Sequence, residues 1–220
     1  MSRFENIAVF EDTVSVCEKS SRLIESIKAS RKTQIFIGEE EKLSDASKAA
    51  RFEKEAEIII SKKRTFEAAQ NYAKQGEKVA VLNFASSTNP GGGVVNGAGA
   101  QEECLCRIST LYFTLDTDEN WKRFYEPHRK ARTPLHNDDI LYTKNITVFK
   151  SDTTSPKLLP ESEWYDVDVI TCAAPNLREN PSNHYNSGDG NQRLILNNEE
   201  LYSLHAKRDS RIFDAAASQN

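Results

Sequence analysis

The stretch that most constrains this chain runs from Lys78 to Arg107. An apolar run, Lys78–Phe84 (KVAVLNF), leads into SSTNPGGGVVNGAGA and then into QEECLCRISTLYFTL. The first reads as a buried strand and the last as a helix, so the loop joins a strand's C-terminal end to a helix start. Three consecutive glycines cost backbone entropy and pack nothing. They make sense where the backbone must approach something closely or adopt positive φ. In α/β sheets that edge is where ligands sit, and exposed amides there favour phosphate. The loop therefore points to an anionic, nucleotide-like ligand; the other reading is a long surface loop with no ligand.

The neighbouring segments support an α/β fold. Residues 4–30 place Ile7, Phe10, Val14, Cys17, Leu23, Ile24 and Ile27 at mostly helical spacing, which predicts one or two helices. Gln34–Gly38 (QIFIG) and Glu57–Ser61 (EIIIS) read as strands, and the charged stretch 39–55 as loop or exposed helix. Thr65 is placed to cap the helix TFEAAQNYAKQG, which Gly76 closes. The order strand (57–61), helix, strand (78–84) implies a parallel pair with a crossover helix. Residues 116–136 read as polar loop with aromatics. Ile140–Tyr142 and Ile146–Phe149 read as paired short strands, and Val167–Ala174 (VDVITCAA) as a buried strand. Residues 177–192 read as loop. A last helix over Glu199–Ala217 has Leu201, Leu204, His205, Arg208, Ile212 and Ala215 or Ala216 on its inner side.

Composition excludes several classes. With 220 residues, 38% hydrophobic and 28% charged, the chain is neither disordered nor a coiled-coil rod. A net charge of -4 does not suit bulk nucleic-acid binding, and no stable nucleic-acid partner is expected. No apolar run approaches a membrane span, and the N-terminus lacks a signal-peptide pattern. Cys17, Cys104, Cys106 and Cys172 lack zinc-ligand spacing and read as free thiols in a reducing, intracellular and cytoplasmic setting. No metal and no cofactor is expected.

Glu102 and Glu103 fall at the helix start, where the helix dipole favours negative charge whatever the function. The functional reading is a carboxyl group beside a phosphate-binding loop, able to protonate a leaving oxygen. Neighbouring helix residues point about 100° apart, so the two cannot flank one bond as an opposed pair. One would serve the chemistry while the other held a substrate hydroxyl.

Gly91-Gly92-Gly93, a seven-residue spacer, and Gln101-Glu102-Glu103 together resemble the signature of poly(ADP-ribose) glycohydrolases. The words NFASSTNPGGG, GAGAQEE, LCRISTLY and VITCAAPN are similar to the microbial type of that family. The resemblance implies a macrodomain-like mixed, mainly parallel sheet flanked by helices, with ADP-ribose in a cleft at the strand ends. Residues 1–55 would be an N-terminal helical extension and 56–220 the glycohydrolase domain. It implies hydrolysis of ribose–ribose O-glycosidic bonds without a metal. Glu103 would be the acid/base and Glu102 a ligand of ribose hydroxyls. Gly91, Gly92 and Gly93 would lie against the diphosphate and distal ribose. Asn83 would orient the glutamate or the ribose, with Val94, Asn96 and Gln101 completing the binding set. Poly(ADP-ribose), ADP-ribose and ADP-ribosylated macromolecules are the implied partners.

In the family a further strand and a second glycine-rich phosphate loop follow the last helix, and this sequence ends at Ser218-Gln219-Asn220. The expectation is a domain lacking that part, with an exposed strand edge. Two rival functions stand beside the first: a reader that holds ADP-ribose without turnover, and a hydrolase of mono-ADP-ribose on protein or nucleic acid.

The run Trp121–Arg132 mixes aromatic and basic residues. It reads as a solvated loop with packed aromatics, or as a stacking surface for single-stranded nucleic acid or poly(ADP-ribose). His128, His136, His184 and His205 match no ligand motif and read as surface or helix residues. Cys106 reads as inert core, and NSGDGN (186–191) as a turn-rich loop.

Overall fold

The computed structural model describes residues 1–43, 57–176, 184–186 and 196–219. Two helices open the chain, α1 (Arg3–Lys19) and α2 (Ser21–Thr33), split by Ser20, whose hydroxyl caps α2 at Leu23 N. Strand β1 (Ile35–Ile37) follows, then α3 (Thr65–Ala73) and β2 (Ala80–Ala85). After the glycine loop come α4 (Gln101–Cys106), α5 (Leu111–Leu115), α6 (Asp118–Asn120), a π-helical turn (Trp121–Tyr125) and α7 (Glu126–Ala131). Strands β3 (Ile140–Val148) and β4 (Tyr165–Ala173) lead to α8 (Asn198–Ser218).

The four strands form one sheet in the order β1-β3-β4-β2. The expected mixed sheet flanked by helices is found, with helices at the N-terminus. Its parallel share is smaller than expected: β2–β4 is parallel, while β1–β3 and β3–β4 are antiparallel. β1, which lies in the segment expected to be an extension, pairs with β3.

β4 is buried on both faces, as its near-continuous apolar sequence predicts. Tyr165, Val167, Val169 and Ala173 face the larger core with Phe10, Leu105 and Leu111, while Ile170 and Cys172 face a second core with Ile37, Ile140 and Ala215 of α8. β3 is one strand rather than the expected pair. A bulge between Thr143 and Ile146, with Asn145 at φ 56°, inserts the odd residue that keeps Ile146 and Val148 on the same face as Leu141.

Five further expectations are corrected. Residues 57–60 are not a strand: Ile58, Ile59 and Ile60 are exposed and make no ladder. The apolar run read as a strand buried on both faces ends the sheet as β2, and Phe84 is exposed. Residues 101–115 form two short helices rather than one, and 118–131 is helical rather than loop. Arg64, not Thr65, is the N-cap of α3, and the distant Asp152 carboxylate accepts from Phe66 N (2.9 Å) and Glu67 N (3.3 Å). Of α8's expected inner residues, Arg208 and Ala215 are buried and His205 is exposed. Most of 39–55 and of 177–192 lies outside the described residues. All four cysteines are free thiols.

α1 is built into the glycine loop. Asn6 Nδ2 donates to Gly97 O at 3.0 Å and Arg3 Nε to Asn96 O. Gly97 has φ 74°, and a β-carbon there would run into the Arg3 carbonyl, so the close approach needs glycine. Below it, the buried Lys150 ammonium reaches Asp12 (2.7 Å), Thr13 Oγ1 (2.8 Å) and Val9 O (3.0 Å).

Candidate active site

Parallel pairing of β2 with β4 brings the C-terminal ends of NFA and TCA side by side, and α4 starts beside them. Both glutamates of its first turn are buried, Glu102 at 2% and Glu103 at 7% exposure. Burying two adjacent carboxylates demands donors, and the chain supplies them from the elements that converge there. Ser86 N donates to Glu102 Oε2 at 2.7 Å and Asn83 Nδ2 to Glu102 Oε1 at 3.3 Å. Gly93 N donates to Glu103 Oε1 at 2.9 Å.

These contacts change the reading of the triple glycine. The Gly93 amide is held by the Glu103 carboxylate, and the Gly92 amide donates to Asn89 O. One amide of the loop, that of Gly93, is thus spent on a protein carboxylate. Asn83 and Val94 are fully buried, so Asn83 acts on Glu102 rather than at the surface. Gln101 is turned to the sheet: Phe84 N donates to its Oε1 (2.9 Å) and its Nε2 donates to Leu82 O (2.7 Å). Its carboxamide thus pairs with β2 as a neighbouring strand would. Asn96 stays exposed at the loop tip.

The two glutamates are held differently. Burial pushes the Glu102 carboxyl up to about 8, against the pull of Ser86 N and Asn83 and with added repulsion from Glu103. Glu102 is therefore mostly neutral at pH 7. Glu103 keeps one oxygen without a partner, Oε2, and that atom is buried. A carboxyl group fixed at one oxygen and free at the other can hand a proton to a reacting atom and take one back.

Two depressions meet at Glu103. One, of about 240 Å³, lies over the strand ends and is lined by Ser86, Glu102, His136, Pro175 and Asn176. The other, of about 740 Å³, is lined by Arg3, Asn89, Asn96, Tyr112, Asp116 and Trp121. Ser86, Ala100 and Glu103 border both.

Sequence reasoning missed three contributors. His136 was expected at the surface or on a helix, yet it is a loop residue lining the smaller depression, 3.3 Å from Ser87 Oγ. Burial first, then His128 and Arg208, depress its pKa to about 3, so it is neutral. His128 is buried too, with Nδ1 2.7 Å from Phe124 O. Arg129 anchors the loop: its Nε donates to Thr88 O (2.7 Å) and its Nη2 to Asn89 Oδ1 (2.6 Å), with the guanidinium over the rings of Trp121 and Tyr185. The basic-aromatic run 121–132 was the available signal.

Among the described residues, no group of three or more His, Cys, Asp or Glu side chains is placed to share a metal ion. Nor is any helix there long and apolar enough to cross a membrane.

The family model for the microbial-type PARG catalytic domain matches residues 6–151. The chain is similar to the crystal structure of poly(ADP-ribose) glycohydrolase from Thermomonospora curvata, with TM-score 0.78 and 26% identity over 99% of this chain and 77% of that one. The same protein bound to the inhibitor ADP-HPD gives TM-score 0.73 and 25% identity over 99% and 76%. The Deinococcus radiodurans glycohydrolase in complex with ADP-ribose gives TM-score 0.65 and 27% identity over 87% and 71%. No curated protein sequence matches the chain.

Proposed function

This chain belongs to the microbial-type PARG family, and on that premise we propose that it hydrolyses the ribose–ribose O-glycosidic bond of poly(ADP-ribose) and releases ADP-ribose. The observation that carries the reading is Glu103: one oxygen held by Gly93 N, the other buried and without a partner where two depressions meet.

The terminal ribose sits over the strand ends, where neutral Glu102 meets its hydroxyls. Protonated Glu103 gives its proton to the bridging oxygen. The bond from the anomeric carbon to that oxygen breaks, and its electron pair stays with the oxygen. Water then attacks the anomeric carbon and passes a proton to the Glu103 carboxylate, restoring the acid. Because Glu102 and Glu103 are neighbours on one helix turn, Glu103 serves both proton transfers and no opposed carboxylate is needed. Asn83 and Ser86 act on Glu102, and Gly93 on Glu103, as positioning groups.

The test pairs turnover with binding. The chain is incubated with poly(ADP-ribose) and released ADP-ribose is quantified, while calorimetry measures ADP-ribose affinity. Wild type should release ADP-ribose, and Glu103→Gln should lose turnover by at least about 100-fold with affinity kept. Binding without release by the wild type makes the chain a reader. Full activity in Glu103→Gln removes that residue from the chemistry.

A further inference from the structure

Apart from Ser86, Gly93 and Glu103, the larger depression is lined by residues that the hydrolysis step does not use. Glu102 reaches only the strand-end depression, and Glu103 reaches both. If the ribose being cut lies with Glu102, the group that leaves must lie across Glu103, on the other side. We propose that the larger depression is a second substrate subsite, which receives the adenosine of the polymer unit left behind when the terminal unit is cut. The proposal rests on the glycohydrolase reading above.

Its construction favours a purine nucleoside. The leaving oxygen belongs to the ribose of an adenosine, so a purine follows within one sugar of Glu103. Two aromatic rings stand there in fixed positions. Tyr112 OH donates to Asp116 Oδ2 at 3.0 Å and Trp121 Nε1 donates to Asp116 Oδ1 at 2.9 Å, so one carboxylate sets both rings. Trp121 is also held by the Arg129 guanidinium, 4.5 Å from its ring, and Tyr112 stands edge-on to Phe10 at 5.0 Å. Tyr112 lies against the triple glycine, since a β-carbon on Gly91 would come within 2.8 Å of its ring. Rings locked this way stack on a base with little loss of side-chain freedom.

Charge orders the subsite from end to end. Asp116 repels phosphate but accepts hydrogen bonds from an exocyclic amine or a ribose hydroxyl. Arg3, whose Nε is fixed on Asn96 O, brings a positive charge to the rim, where the next diphosphate of the polymer would pass. The base falls near the aromatic pair and the phosphate near Arg3. A protein side chain as leaving group would use neither feature, so the subsite selects polymer over mono-ADP-ribosylated protein. The basic-aromatic run 121–132 then serves the polymer through Trp121 and through Arg129 beneath it.

The experiment compares Trp121→Ala, Trp121→Phe and Arg3→Glu with wild type. It reads KM and kcat on poly(ADP-ribose), the Kd of free ADP-ribose, and the melting temperature. Trp121→Ala should raise polymer KM by about 5- to 100-fold, the range for losing one stacked base. ADP-ribose Kd should stay within about twofold of wild type, since ADP-ribose fills only the other depression. Trp121→Phe should recover most of the KM, and Arg3→Glu, which also removes the bond to Asn96 O and is therefore read beside its melting temperature, should raise it several-fold. If ADP-ribose Kd rises as much as polymer KM, the depression holds the terminal unit and the proposal fails. If polymer KM does not move in either Trp121→Ala or Arg3→Glu, it holds no part of the substrate and the proposal fails. Wild type that binds ADP-ribose yet releases none from polymer overturns the glycohydrolase reading, and the subsite with it.

Discussion

Gly92 and Glu103 are in direct contact: a β-carbon on Gly92 would lie 2.5 Å from Glu103 Oε1 and 3.1 Å from Glu102 Oε2. Gly92 also has φ 58°, a conformation side chains rarely adopt. The glycine is thus required by the carboxylate behind it as well as by its own backbone. Gly92→Ala should push Glu103 off Gly93 N, and a misplacement of about 1 Å costs on the order of 100-fold in rate. The expected result is loss of ADP-ribose release by roughly that factor, with circular dichroism unchanged. Near-wild-type release would mean that Glu103 need not be held where the structure holds it.

Glu102 makes a stability prediction. Its folded pKa of about 8 lies above the ordinary 4.5. The folded state therefore holds a proton that the unfolded chain has lost, throughout the interval between those values. Stability should fall as pH rises from about 4.5 to 8 and level off above, with a total change on the order of a few kcal/mol. Glu102→Gln carries a neutral carboxamide at every pH. Its melting temperature should pull ahead of wild type between pH 6 and 9, by about 2–4 °C per kcal/mol. Melting curves that stay parallel across this range would show that Glu102 is ionised in the folded protein.

Much of this architecture is written in local sequence. The alternation Tyr165, Val167, Val169 against Ile170 and Cys172 declares a strand buried on both faces, and the QEE motif places two carboxylates on one helix turn. Long-range partners are not written that way. Ile58–Ile60 have the composition of a core strand but no ladder partner, so propensity misled. The bulge at Asn145 depends on which face β3 must present, which no window of nine residues reveals. That the Gly93 amide holds a carboxylate follows from α4 folding back against the loop, and glycine spacing is equally compatible with a phosphate. Arg129 and His136 reach the site only through tertiary packing of segments that read as loop.

Lys150 offers a test of how α1 is tied to the domain. Its ammonium is 2% exposed and bonds Asp12, Thr13 Oγ1 and Val9 O, while Thr13 Oγ1 also donates to Arg107 O. Lys150→Met fills similar volume but takes the ammonium donor from Val9 O and from the buried Thr13 hydroxyl. Asp12 is largely solvated, so little of its charge would be left buried. The cost should be about 1–3 kcal/mol, read as a lower denaturant midpoint. Because Asn6 and Arg3 of the same helix grip Gly97 and Asn96, ADP-ribose release should fall as well. An unchanged midpoint would mean that α1 is held by its apolar contacts alone.

His136 should make the fold acid-sensitive before the surface carboxylates titrate. Its pKa is lowered from 6.5 to about 3, mainly by burial, with His128 and Arg208 adding positive charge nearby. The His128 ring lies 5.8 Å from it and Arg208 Nη2 donates to its carbonyl. A base with a depressed folded pKa gives stability that is full above about pH 6.5 and is lost as pH falls toward 3. Each pH unit inside that window costs up to about 1.4 kcal/mol. At φ 57° the position tolerates asparagine, so His136→Asn removes the titration without straining the backbone. Between pH 6.5 and 4.5 the variant should lose about 2–3 kcal/mol less than wild type. Opposing this, Glu102 gains stability over the same range, so the comparison is made in the Glu102→Gln background, where only the histidine term remains. Identical acid limbs in that pair would mean that His136 titrates in the folded protein as it does in the unfolded chain.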